Sequence, residues 1–363
     1  MLKCGRRLKS LFAVAIAGLL LVAFMAPAVA NNGNGNGAAN GASNNECQDA
    51  GATGLTAVFV NESVFGELID SSEHECDMAI YFDENAPSNS SVRNTTVAQT
   101  SETPTDPVYG LWNNGADVTV VNSTFEVIEV THQYVQIIFT DGASGKITGN
   151  EISGNHRAGI VVRGIGSTAQ VRDNTVTGSG PIGSGWAENG IQVSYGANAQ
   201  VMNNSVSDHW WLGGAASSGI LVFESDNVIV RGNELHGNEA PVGIESWGGF
   251  VDPDATSAND NQVVGNNITV NEGGSDGVSV IAFAVYGDAN ADNNRVVNNT
   301  IVGDGIEAPY AGVFVGAFDS AESVSSSAEN NKVIRNQVTG FNQPVGLAGD
   351  EQTKVQANTS PVE

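Results

Sequence analysis

Apolar residues return along this chain in a fixed six-place phrase, apolar-x-x-Asn-x-apolar, typified by Val171–Val176. The phrase recurs at Ile147–Ile152, Val201–Val206, Val230–Leu235, Val263–Ile268, Val296–Ile301 and Val333–Val338. Its polar place is held by Asn150, Asn174, Asn204, Asn233, Asn266, Asn299 and Asn336. Three weaker copies come first, Phe59–Val64, Val92–Val97 and Val120–Phe125, with Glu62, Thr95 and Ser123 in the Asn place. Successive starts advance by 24 to 37 residues. A self-similar unit of that size is a repeat architecture.

In a flat strand the first and sixth residues would face opposite sides, because side chains alternate with period two. Both are apolar in every copy, so the chain must bend between them to bury both. Asn at the fourth place suits that corner, since it tolerates left-handed backbone. Stacked Asn side chains can also hydrogen-bond from coil to coil. A second phrase, a small residue then apolar-x-apolar, completes the unit. It stands at Gly159-Ile160-Val161-Val162, Gly190-Ile191-Gln192-Val193, Gly219-Ile220-Leu221-Val222, Gly243-Ile244, Gly277-Val278-Ser279-Val280, Gly312-Val313-Phe314-Val315 and Gly346-Leu347. Earlier versions are Ala79-Ile80-Tyr81-Phe82, Gly110-Leu111-Trp112 and Gln136-Ile137-Ile138-Phe139. Each coil therefore predicts about three short strands between turns rich in Gly, Asn, Asp and Ser. Stacked coils give parallel sheets around one narrow apolar core.

This pattern resembles the right-handed parallel β-helix of the pectate-lyase-like superfamily. The second phrase matches its first strand; the hexapeptide matches its second strand, Asn corner and third strand. The resemblance spans Phe59 to about Gly349. It implies an all-β, single-stranded parallel solenoid of about ten coils with an Asn ladder. Lyases, hydrolases, adhesins and binding proteins share this scaffold, so the resemblance specifies the fold and leaves the chemistry open.

Outside the repeats, residues 1–30 carry Lys3, Arg6, Arg7 and Lys9, an apolar run from Leu11 to Met25, and Ala28-Val29-Ala30. That order predicts a cleaved secretory leader, with Arg6-Arg7 only a partial match to a twin-arginine signal. Residues 31–45 read as a low-complexity linker, 46–349 as the β-helix domain and 350–363 as a polar tail. Cys47 and Cys76 are the only cysteines beyond the leader. In an exported chain they are expected to form a disulfide across the first coil. The expected location is extracellular or at the cell surface, with no membrane contact once the leader is cleaved.

Formal charge is −26, and removing the four leader cations leaves about −30. Such a surface excludes electrostatic binding of nucleic acid or anionic membrane and looks like that of high-salt proteins. Eight Asn-x-Ser/Thr sequons are present, at Asn61, Asn89, Asn94, Asn122, Asn203, Asn267, Asn298 and Asn358. An Asn- and Ser-rich chain generates many by chance, so they do not themselves indicate glycosylation. Asp288-Ala-Asn290-Ala-Asp292-Asn resembles the opening of a calcium loop but lacks Gly at the sixth place and Glu at the twelfth. Calcium is thus only a weak suggestion, and no cofactor is expected.

In this fold, as the resemblance implies, ligands lie along the first-strand face between the flanking turns. The hexapeptide-to-second-phrase span is 20 residues from Val171 to Ile191 and 19 from Val201 to Ile220, against 13 and 14 in the fourth and seventh coils. The span after Ile244 is also long and carries Trp247, Phe250, Asp252 and Asp254. Trp186, Trp210, Trp211 and Trp247, four of the five tryptophans, fall on these departures from the repeat, where function is normally grafted. Parity assigns outward residues Val161 and Arg163, Gln192 and Ser194, Leu221 and Phe223, Glu245 and Trp247, Ser279 and Ile281.

An aromatic-walled groove with ligand-binding Trp186, Trp210, Trp211, Trp247, Gln192 and Phe223 suits a polysaccharide. If it is catalytic, Glu188, Asp208, Glu224 and Glu245 are the carboxylates for a hydrolase. Arg163, His209 and Tyr195 are the candidates for a lyase, with His209 of the three nearest a normal titration range. The paired-Asp, Gly-His-Gly and Arg-x-Lys motifs of the polygalacturonase branch are absent. So is the full acidic calcium cluster of pectate lyases. Two functions stay open: a secreted protein that binds, and in one form cleaves, polysaccharide; or a non-enzymatic surface or adhesion protein.

Overall fold

The computed structural model describes residues 47–70, 76–99, 108–127, 134–154, 157–182, 187–213, 217–304, 310–349 and 352–358. The expected leader and linker and Trp186 lie outside the described residues. The described chain is a parallel β-helix. It winds through three long sheets of 12, 11 and 10 strands, visiting the first, second and third in turn on each coil. Ala158–Arg163, Thr168–Arg172 and Thr175–Ile182 are one such circuit.

The hexapeptide closes the corner between the second and third sheets. Its first place stacks as Val92, Val120, Ile147, Val171, Val201, Val230, Val263, Val296 and Val333, each at most 1% exposed. Its sixth place does the same from Val97 to Val338. The left-handed residue that makes the bend is at the third place, not the fourth: Asn94, Asn122, Asp173, Asn203, Asn298 and Arg335 all have positive φ, as do Gly149, Gly232 and Gly265. The fourth-place Asn turns inward instead. Asn204 Nδ2 donates to Val171 O and Asn233 Oδ1, both at 3.0 Å. Its Oδ1 accepts from the backbone N and Nδ2 of Asn174, both at 3.0 Å. The same pattern runs from Asn150 to Asn358. Ser123 and Thr95 extend it with one backbone N–H bond each to the next coil, their hydroxyl protons going to Val121 O and Arg93 O of their own coils. A second Asn row, Asn261, Asn294 and Asn331, stacks where the chain enters the second sheet.

Three sequence expectations shift. The first coil turns at Val64–Ile69 rather than Phe59–Val64, for Val64 pairs with Val92 and Ile69 with Val97, while Phe59 and Val60 lie in the first sheet. Asn61, left-handed at the preceding corner, imitates the motif. In the coils carrying Gly243 and Gly346, the small place aligned with Gly219 or Gly312 is taken by Pro241 or Pro344. Gly243 and Gly346 therefore face outward, one step later. Finally, Lys354–Gln356 of the expected tail pairs with Lys332–Ile334, Val355 repeating the first place and Asn358 the fourth.

The glycines that do hold the small place are there for lack of room. A Cβ on Gly159 would lie 2.6 Å from Val176 Cγ1, and one on Gly277 would strike Ile301. At the N-terminal end, Gln48–Asp49 pairs antiparallel with Thr56–Val60, the first-sheet strand beside it. The expected Cys47–Cys76 disulfide is present, spanning 29 residues. Together they cover the Thr56–Ala57 part of the first sheet's edge, where exposed backbone would otherwise invite pairing with another chain. Among the described residues no helix is long and apolar enough to cross a membrane.

Removing one rung should be felt. Asn204→Ala strands the buried Asn174 N–H and Val171 carbonyl, and is expected to cost about 3 kcal/mol in urea unfolding. Asn358→Ala, at the half-buried end of the ladder, should cost about 1 kcal/mol. Equal costs at the two positions would contradict the ladder's role.

Candidate functional site

The first sheet's outer face has two outward rows. Register places Val161, Gln192, Leu221, Gly243, Ser279 and Phe314 in one row. Arg163, Ser194, Phe223, Glu245, Ile281 and Gly316 form the other. Glu245 therefore sits between Phe223 and Ile281, one row from the place parity assigned it, and Trp247 follows just past the strand Ala240–Ser246. The slip comes from Pro241: with the expected glycine replaced, Gly243 had served as the wrong phase marker.

One wall rises from the third sheet. Strands Thr175–Ile182 and Ser205–Trp211 run well past the three- or four-residue strands of other coils. After a register shift between Thr177 and Gly180 they pair Pro181 with Trp210 and Ile182 with Trp211. Three side chains fix this tab, two buried and one half-buried. Glu188, fully buried, accepts from Ser179 N at 3.3 Å on both oxygens, and its own N–H donates to Ser217 Oγ at 2.9 Å. Glu239 accepts from Ser217 N at 2.9 Å and Trp211 N at 3.3 Å. His209, also fully buried, pairs its Nδ1 with Asn238 Oδ1 at 3.0 Å. Burial drives its imidazole down to about 4, away from the normal titration range that made it the favoured base of the three. Asp208, left-handed, stands beside it opposite the bulge at Gly178–Ser179 of the neighbouring strand. Trp210 lays its ring edge against Gly273 of a later coil, where an added Cβ would sit 3.4 Å from Cζ2.

The other wall is the strap 247–256, which folds over the far edge of the same face. Glu224, left-handed and 1% exposed, anchors it: its Oε1 accepts from Trp247 N at 3.3 Å, Gly249 N at 2.9 Å and Phe250 N at 3.0 Å. Beneath and beside the strap an aromatic run follows the helix axis. Ring centroids are 5.6 Å apart for Tyr195–Phe223, 5.4 Å for Phe223–Trp247, 5.8 Å for Trp247–Phe250 and 4.6 Å for Phe250–Tyr286. The Arg163 guanidinium lies 4.9 Å from the Tyr195 ring centroid, a cation–π contact. Arg157, whose Nη1 donates to Ala187 O at 2.8 Å, is near enough to Tyr195 and Arg163 to feel both charges, and burial lowers it to about 10.

Two carboxyls at the strap depart from ordinary behaviour. Burial raises Glu245 to about 7, opposed by a hydrogen bond from the Trp247 side chain. Burial also raises Glu224 to about 7, opposed by the three strap amides. Gln192 is positioned by Asn189 Nδ2, which donates to its Oε1 at 3.1 Å, and by its own bond to Ser194 Oγ at 3.1 Å. Of the expected site residues, then, Gln192, Phe223, Glu245 and Arg163 share the face and Trp247 borders it. Trp210 and Trp211 stand on the opposite wall, while Glu188 and His209 are enclosed within that wall. The anchoring by Glu224 and Glu239, the half-buried Arg157 and the end of the aromatic run at Tyr286 carried no motif in the sequence. At the calcium-like stretch, Asp288 Oδ1 accepts from Ser325 N and Oγ, and Asp292 Oδ1 from Ser327 Oγ and Glu329 N. Among the described residues no group of three or more His, Cys, Asp or Glu is placed to hold a metal.

Three stacked parallel sheets with a walled first-sheet face define the class: a parallel β-helix. Residues 136–360 match the family model described as right handed beta helix region, and the chain belongs to that family. No curated protein matches it in sequence. Among solved structures it is similar to the A-module of mannuronan C-5 epimerase AlgE6 from Azotobacter vinelandii, at 14% identity and TM-score 0.40, covering 86% of this chain and 93% of that one. The AlgE4 A-module of the same organism gives 16% identity and TM-score 0.38, covering 84% and 92%.

The two raised carboxyls make a signed pH prediction. Folded, each holds its proton to about 7; its ordinary value is 4.5. Their stabilising contribution is therefore full below the lower value, declines as pH rises between the two, and is gone above the higher. Glu224→Gln keeps an oxygen for the strap amides and removes the titration. Relative to the wild type it should gain on the order of 2–3 kcal/mol between pH 5 and pH 8. Urea unfolding at the two pH values checks this, and a constant difference would refute it.

Proposed function

We propose that the outer face of the first sheet binds an extended extracellular polysaccharide lying along the helix axis. The observation that carries this reading is the axial aromatic run from Tyr195 to Tyr286, bordered by hydrogen-bonding Gln192 and Glu245. Aromatic rings cover sugar faces, and a few fixed polar groups orient the hydroxyls. The tab bearing Trp210 and Trp211 supplies the second wall. Glu245, protonated below about 7, both accepts and donates hydrogen bonds to a sugar hydroxyl in that range.

Binding is favoured over cleavage by a carboxylate pair. Hydrolysis requires two carboxyls about 5 Å or about 6.5–9.5 Å apart across the scissile bond. In the coils from Val161 to Ile281, Glu245 is the one carboxylate among the outward residues named above. Glu188 is enclosed, and Asp208 sits at the tab's bulge. The non-enzymatic surface-protein reading keeps one specific support: Tyr195 is 3% and Phe223 6% exposed, as expected if these rings serve mainly to seat the strap.

Intrinsic tryptophan fluorescence, titrated with neutral and acidic polysaccharides in concentrated salt, separates the two. Binding predicts a saturable shift, lost in the Trp210→Ala, Trp211→Ala double variant while its melting curve stays within about 5 °C, a loss of roughly 1–2 kcal/mol. No shift with any glycan would reject the proposal. A double variant that fails to fold would assign the two indoles to structure. Reducing-end and unsaturated-uronate assays on the same mixtures should stay at background; product in either would make the face catalytic.

A further inference from the structure

We propose that the corner opposite the first sheet carries N-linked glycans, on the third-place asparagines of the repeat. Four sequons fall on this one register position: Asn94, Asn122, Asn203 and Asn298, each followed two residues later by Thr96, Thr124, Ser205 and Thr300. All four asparagines are left-handed and exposed. The bend pushes the third place out of the coil as it pulls the fourth place in, so sequon and ladder use adjacent residues for opposite ends. Glycine in the following coil leaves space beside two of them: a Cβ on Gly149 would lie 2.7 Å from Asn122 Oδ1, and one on Gly232 2.7 Å from Asn203 Oδ1.

Other sequons supply an internal contrast. Asn61 is left-handed too, but its amide is committed on both sides: Nδ2 donates to Asp83 Oδ1 and Oδ1 accepts from Asp83 N, both at 2.8 Å. Asn358 Nδ2 donates to Val333 O at 2.8 Å, and its Oδ1 takes the bonds that end the ladder. A glycan on either would break a rung or a turn. Ser91, the hydroxyl residue of the Asn89 sequon, is buried, and Asn267 is at the fifth place of the repeat, already the first residue of the third-sheet strand Asn267–Val270.

The chemistry needs an exported chain and a membrane oligosaccharide transferase. Its donor is an oligosaccharide on a polyprenyl phosphate or pyrophosphate. Asn Nδ2 bonds to the sugar's C1 and gives up one proton to a base of the transferase. The C1–O bond to the phosphate breaks, its electron pair leaving with the phosphate oxygen. Asn94 and Asn122 are on neighbouring coils about 4.8 Å apart, too close for two full glycans, so that pair carries one. Every glycan then projects from the edge farthest from the proposed groove and leaves it open.

Glycopeptide mapping of the protein purified from its own organism, using fragmentation that retains the sugar, tests this. Oligosaccharide mass is expected on Asn203, on Asn298 and on one of Asn94 and Asn122, with Asn61 and Asn358 bare. Unmodified peptides at all four corner sequons would overturn the proposal, and so would sugar on Asn61 or Asn358. Ser205→Ala with Thr300→Ala spares the corner asparagines; it should remove the mass at Asn203 and Asn298 and leave the melting temperature of the deglycosylated protein unchanged. Mass that persists there would exclude sequon-directed transfer.

Discussion

Everything in this molecule hangs on a buried amide at a bend. A chain that turns sharply inside an apolar core exposes backbone N–H and C=O groups where water cannot reach them, and each left unpaired costs about 1–3 kcal/mol. Asn alone among the small residues brings two donors and a two-lone-pair acceptor on a short stem. It can therefore satisfy the coil before and the coil after at once, as Asn174, Asn204 and Asn233 do. The reward is cooperative: each rung is correct only if its neighbours are in register. Register in the ladder fixes register in all three sheets, which is how a face assembled from distant segments acquires aligned rows.

That alignment explains why the site is made from departures. Regular coils spend their residues on the ladder and the Val and Ile stacks, leaving little to vary. The tab at 175–182 and 205–211 and the strap at 247–256 are insertions that need their own anchors, and the structure supplies carboxylates for the task. Glu188, Glu239 and Glu224 each gather backbone N–H groups from an inserted segment. Acidic residues so abundant in the sequence thus divide into a solvated majority and a few buried clamps. Burial, opposed by those amides, keeps Glu224 protonated to about 7.

What could be read in advance follows the same division. The hexapeptide was legible because each copy obeys the same steric and hydrogen-bonding demand. Even its errors were local: Asn61 imitated a corner one sheet early, and Pro241 hid a small place. The inward turn of the fourth-place Asn was assigned the wrong backbone, since a left-handed tolerance and a capacity for ladder bonds belong to one residue type. The walls were legible only as interruptions. Length marks where a strap or tab exists, but not which of Glu188, Asp208, Glu224 and Glu245 faces solvent. That depends on a one-residue parity inside an irregular segment, and parity is lost at the first bulge, between Thr177 and Gly180. His209 illustrates the limit: two residues before the tab's last indole, it points into the core and titrates near 4.

The antiparallel strand at Gln48–Asp49 has a consequence beyond covering an edge. Hydrogen bonds of an antiparallel pair alternate between narrow and wide spacing, whereas a parallel coil offers evenly spaced, slanted groups. Another parallel coil therefore finds no matching template on the outer side of that strand, and Cys47–Cys76 locks it in place. The first sheet thus has two unlike ends, like a crystal poisoned on one face: an antiparallel pair at Gln48–Asp49, and at the other end the parallel strand Gln343–Ala348.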